Sequence, residues 1–117
     1  PLCIATQARV ALGDDIGEAL KARLVVVLIG ERPGLSSPDS LGAYITYAPK
    51  RACSDAQRNC ISNIRSGGLS YQQVSDTAMY LISSALKKSL SGVGLKDESV
   101  LLDGQTTKHI PFFKLSK

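Results

Sequence analysis

Glu31 and Arg32 stand where chemistry could occur: they follow six aliphatic residues in a row, Leu24 to Ile29, and a glycine, and they precede Pro33 and Gly34. A carboxylate at the end of a buried strand must be solvated, paired or hydrogen-bonded, because burying it alone is costly. Cys60, within Arg58-Asn59-Cys60-Ile61-Ser62-Asn63-Ile64, is a candidate nucleophile by residue type. A nucleophilic thiol needs a base or a depressed pKa, and the only histidine, His109, lies in a tail without recognisable period. Cys3, Cys53 and Cys60 form no C-x-x-C pair and leave one thiol over in any disulfide scheme. That argues against zinc and against a secreted scaffold, and predicts reduced, buried, small apolar side chains. Gly30 and Gly34 are separated by Glu, Arg and Pro, and no G-K-[ST] occurs, so a phosphate-cradling loop has little support. What remains is three loops, Gln7 to Val10, Glu31 to Ser40 and Cys60 to Arg65, rich in amides, hydroxyls and small apolar groups. Such a mixture suits one wall of a pocket for a large, amide-rich ligand. The alternative is structural: Glu31 pairs with a nearby arginine and stiffens its loop.

Those loops need elements to hold them. The uninterrupted run Leu24 to Ile29, with three consecutive valines, reads as a strand buried on both faces, in an open sheet whose ligands sit beyond the carboxyl ends of its strands. Before it, Leu2-Cys3-Ile4-Ala5 reads as an opening strand and Arg9-Val10-Ala11-Leu12 as a second extended piece. Gly13-Asp14-Asp15 is a turn with an N-cap, and Ile16, Ala19 and Leu20 mark one face of a short helix. Strand, helix, strand in that order predicts a right-handed parallel crossover.

Beyond the loop of residues 30–41, Ala43 to Ala48 alternates as a strand closed by Pro49. Residues 50–58 hold at most a helical turn, and Asn59 to Ile64 reads as a short strand that turns into a loop at Asn63. The clearest element is a helix over about Tyr71 to Leu90. Ser70 and Gln73 form a capping box, and Leu69 and Val74 a hydrophobic staple. Val74, Ala78, Leu81, Ile82, Ala85, Leu86 and Leu90 line one face, and Gly92 is the terminating glycine. The expected fold is α/β and Rossmann-like, a mostly parallel sheet flanked by helices, within a larger α/β subunit.

The 117 residues amount to one domain, with 44% hydrophobic and 21% charged residues. No apolar run approaches the roughly 20 residues of a membrane span, and no basic segment precedes a long apolar one, so a soluble intracellular protein is the expectation. Pro1 is no initiator, and the opening predicts a chain cut from something longer. The net charge of +4 invites a nucleic-acid partner, but the basic residues are scattered and there are four Tyr, two Phe and no Trp to stack bases. No nucleic-acid and no membrane partner is expected.

The motifs around these residues carry a resemblance. Arg9-Val10, Gly13-Asp14-Asp15-Ile16-Gly17-Glu18, the run Leu24 to Gly34 with its continuation Leu35 to Tyr44, and Arg58 to Ile64 closely resemble the small (light) subunit of ethanolamine ammonia-lyase, in order, over residues 1–98. The resemblance implies an adenosylcobalamin-dependent lyase that converts ethanolamine to acetaldehyde and ammonia. In that family the large subunit, a TIM barrel, holds the substrate and does most of the catalytic work, while the α/β small subunit closes over the cobalamin. It implies Val10, Glu31 and Cys60 as cobalamin contacts, with no catalytic residue and no metal ligand in this chain. It also implies a higher hetero-oligomer in the bacterial cytoplasm, within the ethanolamine-utilisation microcompartment.

The D-x-H-x-x-G pattern of domains that ligate cobalt through histidine does not occur, which predicts a cofactor that keeps its own benzimidazole on cobalt. Two departures stand out: the family's amino-terminal region is missing, and residues 99–117 resemble nothing in it. The rival from another class is a non-enzymatic α/β module that binds a nucleotide or a protein. A cysteine-based redox role comes third.

Overall fold

The computed structural model describes residues 1–31 and 39–95. Arg32, Val100-Leu101-Leu102, His109 and the tail apolar residues Ile110, Phe112 and Phe113 lie outside the described residues. Along the chain come helix α1 (Leu12–Ala19), strands β1 (Leu24–Gly30), β2 (Leu41–Tyr47) and β3 (Arg58–Ile64), and helix α2 (Tyr71–Lys88). Short 3-10 turns occupy Asp55–Gln57 and Gly92–Gly94.

The sheet has the order β1-β2-β3 and both pairings are antiparallel. This overturns the expected Rossmann-like parallel sheet, and the connections supply the reason. A parallel neighbour needs a crossover of a dozen or more residues, usually helical. Here residues 31–40 join β1 to β2, and residues 48–57, holding one 3-10 turn, join β2 to β3. Links of that length return the chain alongside itself. The predicted crossover ahead of β1 also fails, because residues 2–5 join no strand. Arg9 to Ala11 likewise form a turn rather than an extended piece, their carbonyls accepting from the N–H groups of Leu12, Gly13 and Asp14.

One sheet face carries the core. Ala43 and Ile45 of β2 and Ile61 and Ile64 of β3 pack with Leu69, Leu81, Ala85 and Leu95, all buried. Helix α2 closes this face with its predicted capping box: Gln73 N–H donates to Ser70 Oγ at 3.1 Å, and Ser70 N–H to Gln73 Oε1 at 2.8 Å. Leu69 is buried and Val74 packs against the core, as a staple requires. The helix ends at Lys88, with Ser89 left-handed at φ 57°, two residues short of the expected Leu90.

Gly92 serves otherwise than as a helix stop. At φ 87° it lies so close to the backbone of Ala56 and Gln57 that no side chain fits. Its N–H donates to the buried Asn59 Oδ1 at 2.6 Å, while Asn59 Nδ2 donates to the Gly92 and Leu95 carbonyls. That bond pattern fastens the end of the described chain to β3.

Because α2 lies across β2 and β3, β1 is an edge strand covered less than its apolar run predicts. Leu28 is 69% exposed and Val26 39%, although their register partners Ala43 and Ile45 are buried. Six aliphatic residues identify a strand; they do not say how many faces are covered. The opposite face of the sheet receives α1, whose Gly13 meets Val27 and whose Gly17 meets Pro49 too closely to accommodate a Cβ without a shift, with Val25 in ordinary contact with Gly17. A buried ion pair crosses that face: Arg58 Nη1 lies 2.7 and 2.6 Å from the two Asp14 carboxylate oxygens, with Arg58 at 5% and Asp14 at 3% exposure. Asp14 therefore anchors a strand rather than capping a helix, and the N-cap position is Ala11, without a side-chain cap. Burial opposes the Arg58 charge, but the hydrogen bonds to Asp14 and Asp55 outweigh it and hold its pKa above the ordinary guanidinium value.

Candidate functional site

At the Gly30 end of the α1-side face, three segments distant in sequence converge on Glu31. The main chain places it: Glu31 N–H donates to the Ser40 carbonyl at 2.8 Å, adding one rung beyond the Gly30–Leu41 pair of the β1–β2 ladder. The side chain is then held twice at one oxygen. Glu31 Oε1 accepts from Ser40 Oγ at 2.8 Å and from the Asn63 N–H at 3.0 Å.

The Asn63 donor is available because the pairing of β2 with β3 slips between Leu41 and Ala43, and Asn63 adopts a left-handed φ of 61°. This local irregularity fits the expectation that regular strand geometry breaks at Asn63, although the strand runs on to Ile64. The distorted turn is itself braced, with Leu69 N–H on the Asn63 carbonyl at 2.9 Å and Arg65 Nε on Asn63 Oδ1 at 2.8 Å.

Glu31 Oε2 accepts no hydrogen bond among the described residues and faces Gly42. A Cβ at position 42 would lie 3.1 Å from Oε2 and 3.2 Å from Tyr44 Cε1. The absence of a side chain at Gly42 thus lets the Glu31 carboxylate and the Tyr44 ring lie close against the β2 main chain. Among the described residues no arginine pairs with Glu31, and its recorded partners are instead Ser40 and the Asn63 N–H.

Beside the carboxylate, Tyr44 and Cys60 are direct cross-strand partners, both half-buried. Burial foremost, then the neighbouring Cys60 and Glu31, push the Tyr44 hydroxyl up to about 12. Burial also raises the Cys60 thiol, only partly offset by the hydrogen bond from Tyr44, and Glu31 adds to the rise. Both groups are therefore neutral at physiological pH. A raised thiol pKa is the opposite of what a nucleophilic or redox cysteine needs.

The sign fixes a prediction. A folded-state pKa above the ordinary value of 9.0 means the fold favours the protonated thiol, so its contribution to stability is whole below pH 9 and lost as pH rises beyond. In a variant with Cys3 and Cys53 replaced by serine, alkylation of Cys60 by iodoacetamide, followed by mass spectrometry, is expected to rise at higher pH than that of an ordinary thiol. A midpoint at or below the ordinary value would contradict this environment. Of the other thiols, Cys53 is half-buried and Cys3 is exposed, so the expectation of buried cysteines does not hold for Cys3.

Val10 is half-buried, and its carbonyl accepts from the Gly13 N–H at 3.0 Å. With Gly13 over Val27 and Gly17 over Val25, the turn bearing Val10 lies toward the Gly30 end of β1, on the face that carries Tyr44 and Cys60. Glu31 and Cys60 are thus neighbours around Tyr44, and Val10 shares their face, with no hydrogen bond to either among the described residues. Sequence reasoning placed Ser40 and Asn63 in candidate loops without giving them a role, and missed Gly42 and Tyr44. Only the strand register brings them to Glu31, and the alternation of Tyr44 with Thr46 was the one available hint.

A groove of about 670 Å³ runs elsewhere, along the free edge of β1, lined by β1 itself, α1 and residues near the amino terminus such as Leu2 and Arg9. Val10, Glu31 and Cys60 do not line it. Among the described residues no group of three or more His, Cys, Asp or Glu is placed to hold a metal ion, and no helix is long and apolar enough to cross a membrane.

Residues 1–96 match the family model described as ethanolamine ammonia-lyase light chain (EutC). The chain is 60% identical over 99 residues to the ethanolamine ammonia-lyase small subunit of Xanthomonas campestris pv. campestris, covering 85% of this chain and 36% of that protein. It is 58% identical over 101 residues to the small subunit of Pseudomonas syringae pv. tomato, with 86% and 35% covered. With that of Pseudomonas putida strain W619 the identity is 52% over 111 residues, with 93% and 41% covered. The chain therefore spans well under half the length of these relatives.

Proposed function

The chain belongs to the ethanolamine ammonia-lyase light-chain family, and from that premise we propose that it forms one wall of an adenosylcobalamin site in the small subunit of the lyase. The observation that carries this reading is the state of Glu31. Its Oε1 is held by two donors while its Oε2, which lies against Gly42, has no partner among the described residues. A corrin ring is fringed with primary amides, which are hydrogen-bond donors, and a fixed carboxylate oxygen is a matching acceptor. Neutral, half-buried Cys60 and Tyr44 add a polarizable, weakly polar surface next to it, and Val10 an aliphatic contact on the same face. The residues present thus fit the group.

When bound, adenosylcobalamin supplies the radical chemistry. This chain's residues bind the ring edge, orient it and exclude water; none of the three contacts needs to move a proton. The cofactor keeps its benzimidazole on cobalt in this proposal, and substrate is held by the large-subunit TIM barrel. The uncovered apolar edge of β1 supports a unit that functions against further polypeptide, in a hetero-oligomer. By the same reading the complex works in the bacterial cytoplasm, inside the ethanolamine-utilisation microcompartment.

Reconstitution tests the assignment. A full-length small subunit containing this chain, mixed with the large subunit and adenosylcobalamin, is expected to release acetaldehyde and ammonia from ethanolamine, with no turnover when either subunit is omitted. Turnover by the large subunit alone, or none from the complete mixture, would overturn it.

A further inference from the structure

We infer that Ser40 is a positioning residue for Glu31, and that Ser40, the Asn63 N–H and Gly42 together present Glu31 Oε2 as the acceptor for a primary amide of the ligand; the inference rests on the reading of this face as a cobalamin wall. Ser40 is 4% exposed and grips Glu31 through both main chain and side chain. Asn63 approaches the same oxygen from β3, its N–H turned toward Glu31 by the left-handed backbone. Two donors on Oε1, Ser40 just before β2 and Asn63 on β3, leave the carboxylate little freedom to rotate, so Oε2 keeps its place beside Gly42.

A carboxylate that could swing would bind an amide or, by moving away, tolerate a carboxylate on the ligand. A clamped one cannot retreat. It accepts from an N–H₂ group and repels an anion at the same position, so the clamp confers selectivity for amide over acid. Gly42 belongs to the same device, because a methyl group there would displace Oε2 by a few tenths of an ångström.

The test uses the complex of full-length small subunit and large subunit, titrated with adenosylcobalamin and with its derivatives in which one corrin side-chain amide is hydrolysed to the acid. The wild-type complex is expected to discriminate against at least one monoacid. Ser40→Ala should weaken binding of the intact cofactor about tenfold and narrow that discrimination, and Ser40→Thr, which keeps the hydroxyl, should restore it. Gly42→Ala, with Ser40 in place, should narrow it as well. If Ser40→Ala weakens amide and acid forms equally, or changes neither while Glu31→Ala removes the discrimination, the positioning role is overturned and the cobalamin wall stands. If Glu31→Ala leaves full discrimination, both are overturned.

Discussion

Replacing Asp14 by alanine is expected to destabilise the folded chain by about 3 to 5 kcal/mol, the cost of stranding a buried charge. Arg58 is 5% exposed, and its Nη1 has both Asp14 oxygens within 2.7 Å. What remains after the substitution is Asp55, whose side chain is 97% exposed and which contacts Nε at 3.1 Å, and the Cys53 carbonyl on Nη2 at 3.2 Å. Asp55 is exposed and reaches only Nε, and the Cys53 carbonyl carries no charge, so neither takes the place of the buried carboxylate on Nη1. Most folded small domains have only about 5 to 15 kcal/mol in hand, so this single change is expected to take a large share of the stability. Urea denaturation followed by circular dichroism measures it. The double replacement Asp14→Leu with Arg58→Met removes both charges and is expected to be less damaging than Asp14→Ala, since it strands neither. A loss under about 1 kcal/mol for Asp14→Ala would mean that the pair is not dry.

The consequence reaches the candidate site. Arg58 is the first residue of β3 and Cys60 lies two residues on, while Asp14 stands in the first turn of the helix whose preceding turn bears Val10. One ion pair therefore ties the Val10 turn to the strand that carries Cys60. In Asp14→Ala, cofactor affinity is expected to fall together with stability.

Local signals in the sequence translated well. The Ser70 to Gln73 box is a four-residue pattern whose bonds form within the pattern, and the start of α2 stands where it predicts. The positions of β1, β2 and β3 were legible from runs of β-branched and aromatic residues, whereas Leu2 to Ala5 joins no strand and Arg9 to Ala11 form a turn. Strand direction was not legible. It depends on what lies between strands, and an apolar run such as Leu24 to Ile29 looks alike in a parallel interior and on an antiparallel edge. Asp14 misled because an aspartate next to a helix start satisfies a capping rule, whereas its partner Arg58 lies 44 residues away.

The candidate site divides along the same line. Glu31 stood out as a carboxylate at a strand end, and the family resemblance singled out Val10 and Cys60 with it. The residues that give Glu31 its geometry are a serine, a glycine and a backbone N–H, types too common to flag. They acquire meaning only through the register that sets Gly30 opposite Leu41 and Leu41 opposite Ile64.

The second large effect concerns that carboxylate directly. Glu31→Ala removes Oε2 and releases the half-buried Asn63 N–H and the buried Ser40 Oγ, both of which water entering the space vacated by the side chain can satisfy. The fold should survive, and the loss should appear in the ligand. A charge-assisted hydrogen bond contributes about 1 to 3 kcal/mol, which is roughly a 5- to 150-fold change in Kd. Glu31→Gln, which keeps an acceptor oxygen without the charge, should fall between alanine and the parent.

The most direct measurement of the central claim is the equilibrium titration of adenosylcobalamin into the two-subunit complex carrying either Glu31 or Glu31→Ala, read by the cofactor's visible absorbance. A Kd raised within that range, with an unchanged melting temperature, is the predicted result. An unchanged Kd would contradict the assignment of this face as a wall of the cobalamin site.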